Sequence, residues 1–141
     1  MSLDIQRTTV WAASIEDRPA GLAEKLVALN GCGAHLEFIL ARRAPELPGH
    51  GVVFVAPVKG LKQSRAATKA GFFRTEALHA LRVEGKDKAG TGRLLTEVMA
   101  AAGLNLRGFS AATIGKKFVA YLAFDDDEES KLAAKILRKV K

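Results

Sequence analysis

Apolar and polar positions alternate at Leu81, Arg82, Val83 and Glu84, the pattern of a half-buried strand, and Thr9–Ile15 carries a matching run. Behind each run the period lengthens to that of a helix. Leu22, Leu26 and Leu29 form one apolar stripe, and Leu95, Val98, Met99 and Ala102 form another. Asp17 and Asp87 stand where they can cap these helices, with Pro19 near the first helical position of the earlier one. Gly33 and Gly103 predict left-handed helix ends. Second strands follow at His35–Arg42 and Leu104–Thr113, and third strands at Val52–Val58 and Phe118–Phe124. The hairpin joining them is tight at Gly115 and about four residues longer around ARRAPELPGHG. Second helices are predicted near Leu61–Ala70 and Asp127–Val140, the latter with Leu132, Ala133, Ile136, Leu137 and Val140 on its apolar side. Phe72–Glu76 reads as a short fourth strand that continues without a linker.

The order β-α-β-β-α-β thus occurs twice. The predicted fold class is α+β: two ferredoxin-like repeats, residues 1–76 and 77–141, with antiparallel sheets side by side and the helices on one face. Leu26, Leu29, Leu95, Met99, Ile136 and Leu137 are its expected core. The second repeat lacks a last strand of its own, so that edge is expected to be short or covered by a partner.

Direct comparison of the two halves supports the duplication. EDRPAGLAEKLVALNGCGAHLEF (Glu16–Phe38) lies against KDKAGTGRLLTEVMAAAGLNLRGF (Lys86–Phe109) at a shift of 70 residues. Asp17 meets Asp87, Arg18 meets Lys88, Pro19 meets Ala89, Leu29 meets Met99 and Gly33 meets Gly103. The glycine-rich stretch VEGKDKAGTGRLL (Val83–Leu95) therefore has a counterpart without a glycine cluster. It fails as a P-loop as well, because Gly85 and Gly90 are followed by Thr91 and Gly92 where Lys and Ser/Thr are required. It fails as a dinucleotide fingerprint because Gly90 and Gly92 lead to Leu95. Its glycines read as turn and packing residues, and no nucleotide cofactor is expected.

Composition removes several function classes. The chain has 141 residues with 48% hydrophobic content, that of a globular protein. No apolar run approaches the ~20 residues of a membrane span, and MSLDIQRTTV lacks a signal-peptide core, so no membrane partner is expected. The single Cys32 excludes an internal disulfide and fits a reducing cytoplasm. No His–Asn or His–Asp set accompanies Cys32, which reads as a small buried residue and not a nucleophile.

The net charge of +7 is spread evenly. Residues 1–70 hold nine Lys/Arg against six Asp/Glu, and residues 71–141 hold thirteen against nine. Lys62, Arg65 and Lys69 share a helix face, while Lys131, Lys135, Arg138 and Lys139 crowd the last helix. Such groups read as solvated faces and helix-end charges. The acidic run DDDEE (residues 125–129) reads as a helix start and not a metal site.

RNA-recognition modules share the topology, and Gly115, Phe118, Val119 and Tyr121 partly match their aromatic strand. Phe118 and Tyr121 fall on opposite strand faces, however, and Lys116 and Lys117 stand where an aromatic and a small residue belong. RNA binding is the alternative reading, and nucleic acid is not the expected partner.

D-R-P-A-G-L at a helix start, followed about sixteen residues later by G-x-(N/H)-L at a strand start, resembles the ACT domain. Two copies in register cover nearly the whole chain, similar to stand-alone double-ACT proteins. The resemblance implies a regulatory module that binds a free amino acid between paired domains, working as a homodimer beside a regulated enzyme or regulator. It implies no catalytic residue, metal or cofactor. Residue by residue it points to Asp17, Arg18, Pro19, Ala20 and His35 in repeat one, and to Asp87, Lys88, Ala89, Gly90 and Asn105 in repeat two. An amino acid's carboxylate suits backbone N–H groups at a helix start with Arg18 or Lys88 near by, and its ammonium suits Asp17, Asp87 or Asn105. Ala20 replaces the family's Gly, Ala89 its Pro, His35 its Asn, and Thr91–Gly92 its apolar pair. Repeat two, which keeps Gly90 and Asn105, is the expected working site.

Overall fold

A computed structural model describes residues 2–140, apart from the side chains of residues 75–78. It contains β1 (Asp4–Glu16), α1 (Gly21–Asn30), β2 (Phe38–Arg43), β3 (His50–Ala56), α2 (Gly60–Lys69), β4 (Phe73–Lys86), α3 (Thr91–Ala101), β5 (Gly108–Ile114), β6 (Lys117–Phe124) and α4 (Asp127–Leu137). The class is α+β, with two ferredoxin-like repeats built on antiparallel pairs. The chain forms two compact units, Thr9–Thr75 and a unit joining Glu76–Lys141 to the segment ending at Thr8. The sequence division at 76/77 kept those first residues with repeat one; the structure groups them with repeat two.

In the Thr9–Thr75 unit β3 lies between β2 and β1, with Trp11 opposite Val55 and Ala13 opposite Val53. Trp11, Ala13, Val53 and Val55 share one pleat and pack with Leu29 of α1, Ala67 of α2 and Phe72. Both helices thus cover one sheet face, as the alternation in β3 requires. The edge strand β2 is almost wholly exposed.

The other unit repeats the plan, with β6 between β5 and β4. Leu81, Val83, Phe118, Ala120, Leu122 and Phe124 face Leu95 and Met99 of α3 and Ala133, Ala134 and Leu137 of α4. Of the expected core, Leu29, Leu95, Met99 and Leu137 are at most 1% exposed. Leu26 and Ile136 are half-buried at the margins of the two clusters.

The strand expected to be missing from repeat two comes from the other end of the chain. β1 begins at Asp4 instead of Thr9, and Ile5 enters the repeat-two core at 8% exposure. Burying such a side chain contributes about 1.5–3 kcal/mol. Gly85 of β4 makes room for this segment: a Cβ there would lie 3.0 Å from Leu3 Cδ2 and 3.4 Å from the Ser2 carbonyl oxygen. Reciprocally, Phe73–Thr75 at the start of β4 belongs to the first unit. β1 and β4 thus each contribute residues to both units.

Helix ends follow the expected chemistry at one end more than the other. Gly33 and Gly103 adopt φ of 80° and 72°, and the N–H of the following residue reaches back to Leu29 O (3.3 Å) and Met99 O (3.0 Å) respectively. The acidic run starts α4, where Asp126 accepts from the Glu129 N–H at 2.8 Å. The N-caps of α1 and α3 are Ala20 and Gly90, and neither helix has a side-chain cap. Asp17 and Asp87 therefore do not cap, and Pro19 precedes the helix. Each Asp sits three residues before its N-cap, too early to meet the first helical N–H groups.

Candidate functional site

The turn after each first strand is the common element of the two repeats. In repeat one the Asp17 N–H donates to Gly49 O at 3.0 Å, and the Asp17 carboxylate pairs with Arg43 Nε at 3.0 Å. In repeat two the Asp87 N–H donates to Lys116 O at 2.8 Å, and Asp87 Oδ1 accepts from Thr113 Oγ1 at 3.2 Å. Arg43 and Thr113 are themselves 70 positions apart, so both aspartates tie their turn to the end of the second strand. These partners were missed in the sequence, although the same shift relates them.

After the tie, the backbone turns left-handed. Ala20 (φ 72°) and Gly90 (φ 86°) occupy equivalent positions, and Ala20 is the one non-glycine residue with positive φ among the described residues. Gly21 has a separate reason to be glycine, since a Cβ there would lie 2.2 Å from the Glu16 carbonyl oxygen. Its counterpart Thr91 is 2% exposed and donates its hydroxyl to Lys88 O at 2.8 Å. Around Gly90 and Gly92 nothing lies within 4 Å of an added Cβ, so the backbone at the start of α3 is open to approach. Its first N–H groups have no intrahelical acceptor.

The charges at the two turns differ. Arg18 pairs with Glu16 and donates to Glu24 Oε2 at 2.6 Å and to Pro19 O at 3.1 Å. Its hydrogen bonds to the accepting carboxylates of Glu24 and Glu16 raise the Arg18 pKa, and the Arg18 hydrogen bond and charge hold the Glu16 carboxyl below its ordinary value. In repeat two Lys88 replaces Arg18, Lys86 replaces Glu16, and Leu94 replaces Glu24. Lys88 makes no ion pair among the described residues.

Asp17, Arg18, Pro19 and Ala20 are together and exposed in one turn, as are Asp87, Lys88, Ala89 and Gly90 in the other. His35 and Asn105 are also exposed, but they lie beyond the far ends of α1 and α3, ahead of β2 and β5. The 11 residues of α3 separate Gly90 from that end by about 16 Å at ~1.5 Å per residue. Within one repeat, therefore, the turn and the Asn105 segment do not form a single pocket.

Other candidates resolve more simply. Cys32 is 8% exposed and donates its thiol to Leu29 O at 3.0 Å. Asp125 pairs with Arg107 at 2.9 Å, while Asp127 pairs with Arg7 and with Lys131 at 3.1 Å. No metal-ligating cluster occurs among the described residues. Phe118 points into the core at 8% exposure while Tyr121 lies on the opposite face, so the two form no stacking platform. No helix among the described residues is long and apolar enough to cross a membrane.

No protein-family model matches the sequence. No curated protein matches it either. Among solved structures, a Bacteroides thetaiotaomicron protein superposes with a TM-score of 0.75 at 11% identity, covering 96% of this chain and 99% of that one. The regulatory subunit of aspartate kinase from Thermus thermophilus, in ligand-free form, gives 0.69 at 13% identity, with 99% and 96% covered. A structure of aspartokinase alpha and beta subunits gives 0.67 at 13% identity, with 99% and 96% covered. Over nearly its whole length the chain has the ACT-like ferredoxin fold of aspartate kinase regulatory subunits.

Proposed function

We propose that the chain is a regulatory protein that senses a free amino acid through tandem ACT domains, repeat one within 1–76 and repeat two within 77–141, and that it performs no catalysis itself. The observation that carries this reading is the full-length likeness to a regulatory subunit, with 99% of this chain and 96% of that one covered. The open backbone at Gly90 supports it from the site. In this reading the effector carboxylate meets the start of α3 beside Lys88 and Ala89, and its ammonium meets Asp87. Asn105 and His35, at the opposite helix ends, act on ligand held at the turn of a second copy, so the working form is a homodimer. The turn of Asp17, Arg18, Pro19 and Ala20 is the weaker site, because Arg18 is already saturated by Glu16 and Glu24. The regulated partner is an enzyme or regulator. Amino acids that bind the folded state raise its melting temperature, so a thermal-shift screen of the common amino acids tests the reading. A rise with one or a few related amino acids supports it; no rise with any of them overturns it.

A further inference from the structure

The strand β1 is held unequally along its length. From Trp11 to Glu16 it runs in register with β3, and Trp11 and Ala13 lie in the repeat-one core. Its opening segment, up to Thr8, belongs instead to the repeat-two unit. There Ile5, at 8% exposure, is the segment's one side chain in the buried core among the described residues. Leu3 packs only at the margin of that core, where Gly85 leaves it room. Arg7 pairs with Asp127, but the two side chains are 48% and 39% exposed, and such a pair adds little. Repeat two nevertheless needs this weakly seated segment. Ile5 shares a cluster with Leu81 and Val83 of β4, and without it that side of the core is open to water. What remains, Glu76–Lys141, is a piece of roughly 65 residues, a size at which a single core is marginal.

From this unequal hold we infer that repeat one is the clamp on repeat two: when repeat one opens, the segment leaves and repeat two opens with it. While repeat one is folded, β1 delivers the segment already extended and in place. Once repeat one is open, the segment and Glu76 are joined only by the roughly 70 residues of Thr9–Thr75 as a flexible loop. Closing such a loop disfavours the seated segment about 500-fold through chain entropy. Burial of Ile5 favours it by only about 10- to 150-fold. The entropy wins. The regulatory consequence rests on the amino-acid-sensing reading: the Asp87–Gly90 turn is competent only while repeat one is folded. Effector held at that turn therefore protects repeat one as strongly as repeat two.

Native-state hydrogen exchange of the full chain tests the dependence without any ligand. It compares the slowest amides of β3, such as Val53 and Val55 in repeat one, with those of β6, such as Ala120 and Leu122 in repeat two. Ile5→Val and Ile136→Val are mild changes in the repeat-two core and at its margin. Both speed exchange in β6, Ile5→Val by about two- to tenfold. Each speeds β3 by the same factor as β6, because every opening of repeat one also opens repeat two. Faster exchange in β6 with β3 unchanged overturns the inference. Unchanged exchange in β6 of Ile5→Val also overturns it, since the segment would then not hold repeat two. In a second arm, the amino acid that most raises the melting temperature is added at saturation and slows β3 and β6 by the same factor. Slowing confined to β6 overturns the clamp while leaving amino-acid sensing intact. No binding by any amino acid overturns the sensing reading, while the two variants still decide the clamp.

Discussion

Replacing Ala20 with Gly is expected to stabilise the protein, and replacing Gly90 with Ala to destabilise it by a similar amount. The two residues occupy equivalent N-cap positions with φ of 72° and 86°. An L-residue in this left-handed conformation costs about 1–2 kcal/mol relative to one in the right-handed region. Glycine avoids that strain but loses about 0.4–1 kcal/mol through its greater freedom in the unfolded chain. The difference is ~0.5–1 kcal/mol in favour of Gly, or a rise of ~2–5 °C in melting temperature for Ala20→Gly. The reverse change at Gly90 isolates the same term, because an added Cβ meets nothing within 4 Å. Urea unfolding of both variants, with unchanged denaturant slopes, measures the pair. Two changes of the same sign, or a destabilised Ala20→Gly, would refute the argument that backbone conformation sets the residue preference here.

Ile5→Ala should cost about 2–5 kcal/mol by chemical denaturation, since Ile5 is buried in the repeat-two core; a cost under ~0.5 kcal/mol would mean that the first strand does not complete that repeat. The Glu16 carboxyl has a folded pKa lowered by Arg18, so its contribution is present above the unfolded value and is lost as pH falls through the folded one. Glu16→Gln should therefore lower the urea midpoint at neutral pH and have no effect at strongly acidic pH, and a midpoint that shifts equally at both would contradict that assignment. Once an effector is identified, Asn105→Ala should weaken binding by ~1–3 kcal/mol in a calorimetric titration, with stability little changed because Asn105 is exposed.

The repeated architecture was legible because the apolar stripes and helix-ending glycines recur at a fixed shift, and Leu29, Met99, Gly33 and Gly103 all take their expected places. The first half of β1 was not legible: in Asp4–Thr8 only Ile5 is apolar, which leaves no periodicity to read. Nor does sequence order reveal that this segment supplies the last strand of a repeat that starts some seventy residues later. Asp17 and Asp87 looked like caps because they precede the helices. The left-handed residue that reorients the chain comes three positions later, and the freed carboxylates turn instead to Arg43 and Thr113. The candidate residues of each turn are contiguous in the sequence and so lie together in the structure. Their separation from His35 and Asn105 depends on helix length and direction, which a linear motif does not express.

The most direct measurement is residue-resolved: amide chemical shifts followed by NMR while the amino acid that most raises the melting temperature is titrated in. Saturable changes are expected, concentrated at Asp87–Thr91 and at Gly103–Leu106, with smaller ones at Asp17–Gly21. Changes confined to other surfaces, or none at saturating ligand, would contradict amino-acid sensing at these turns.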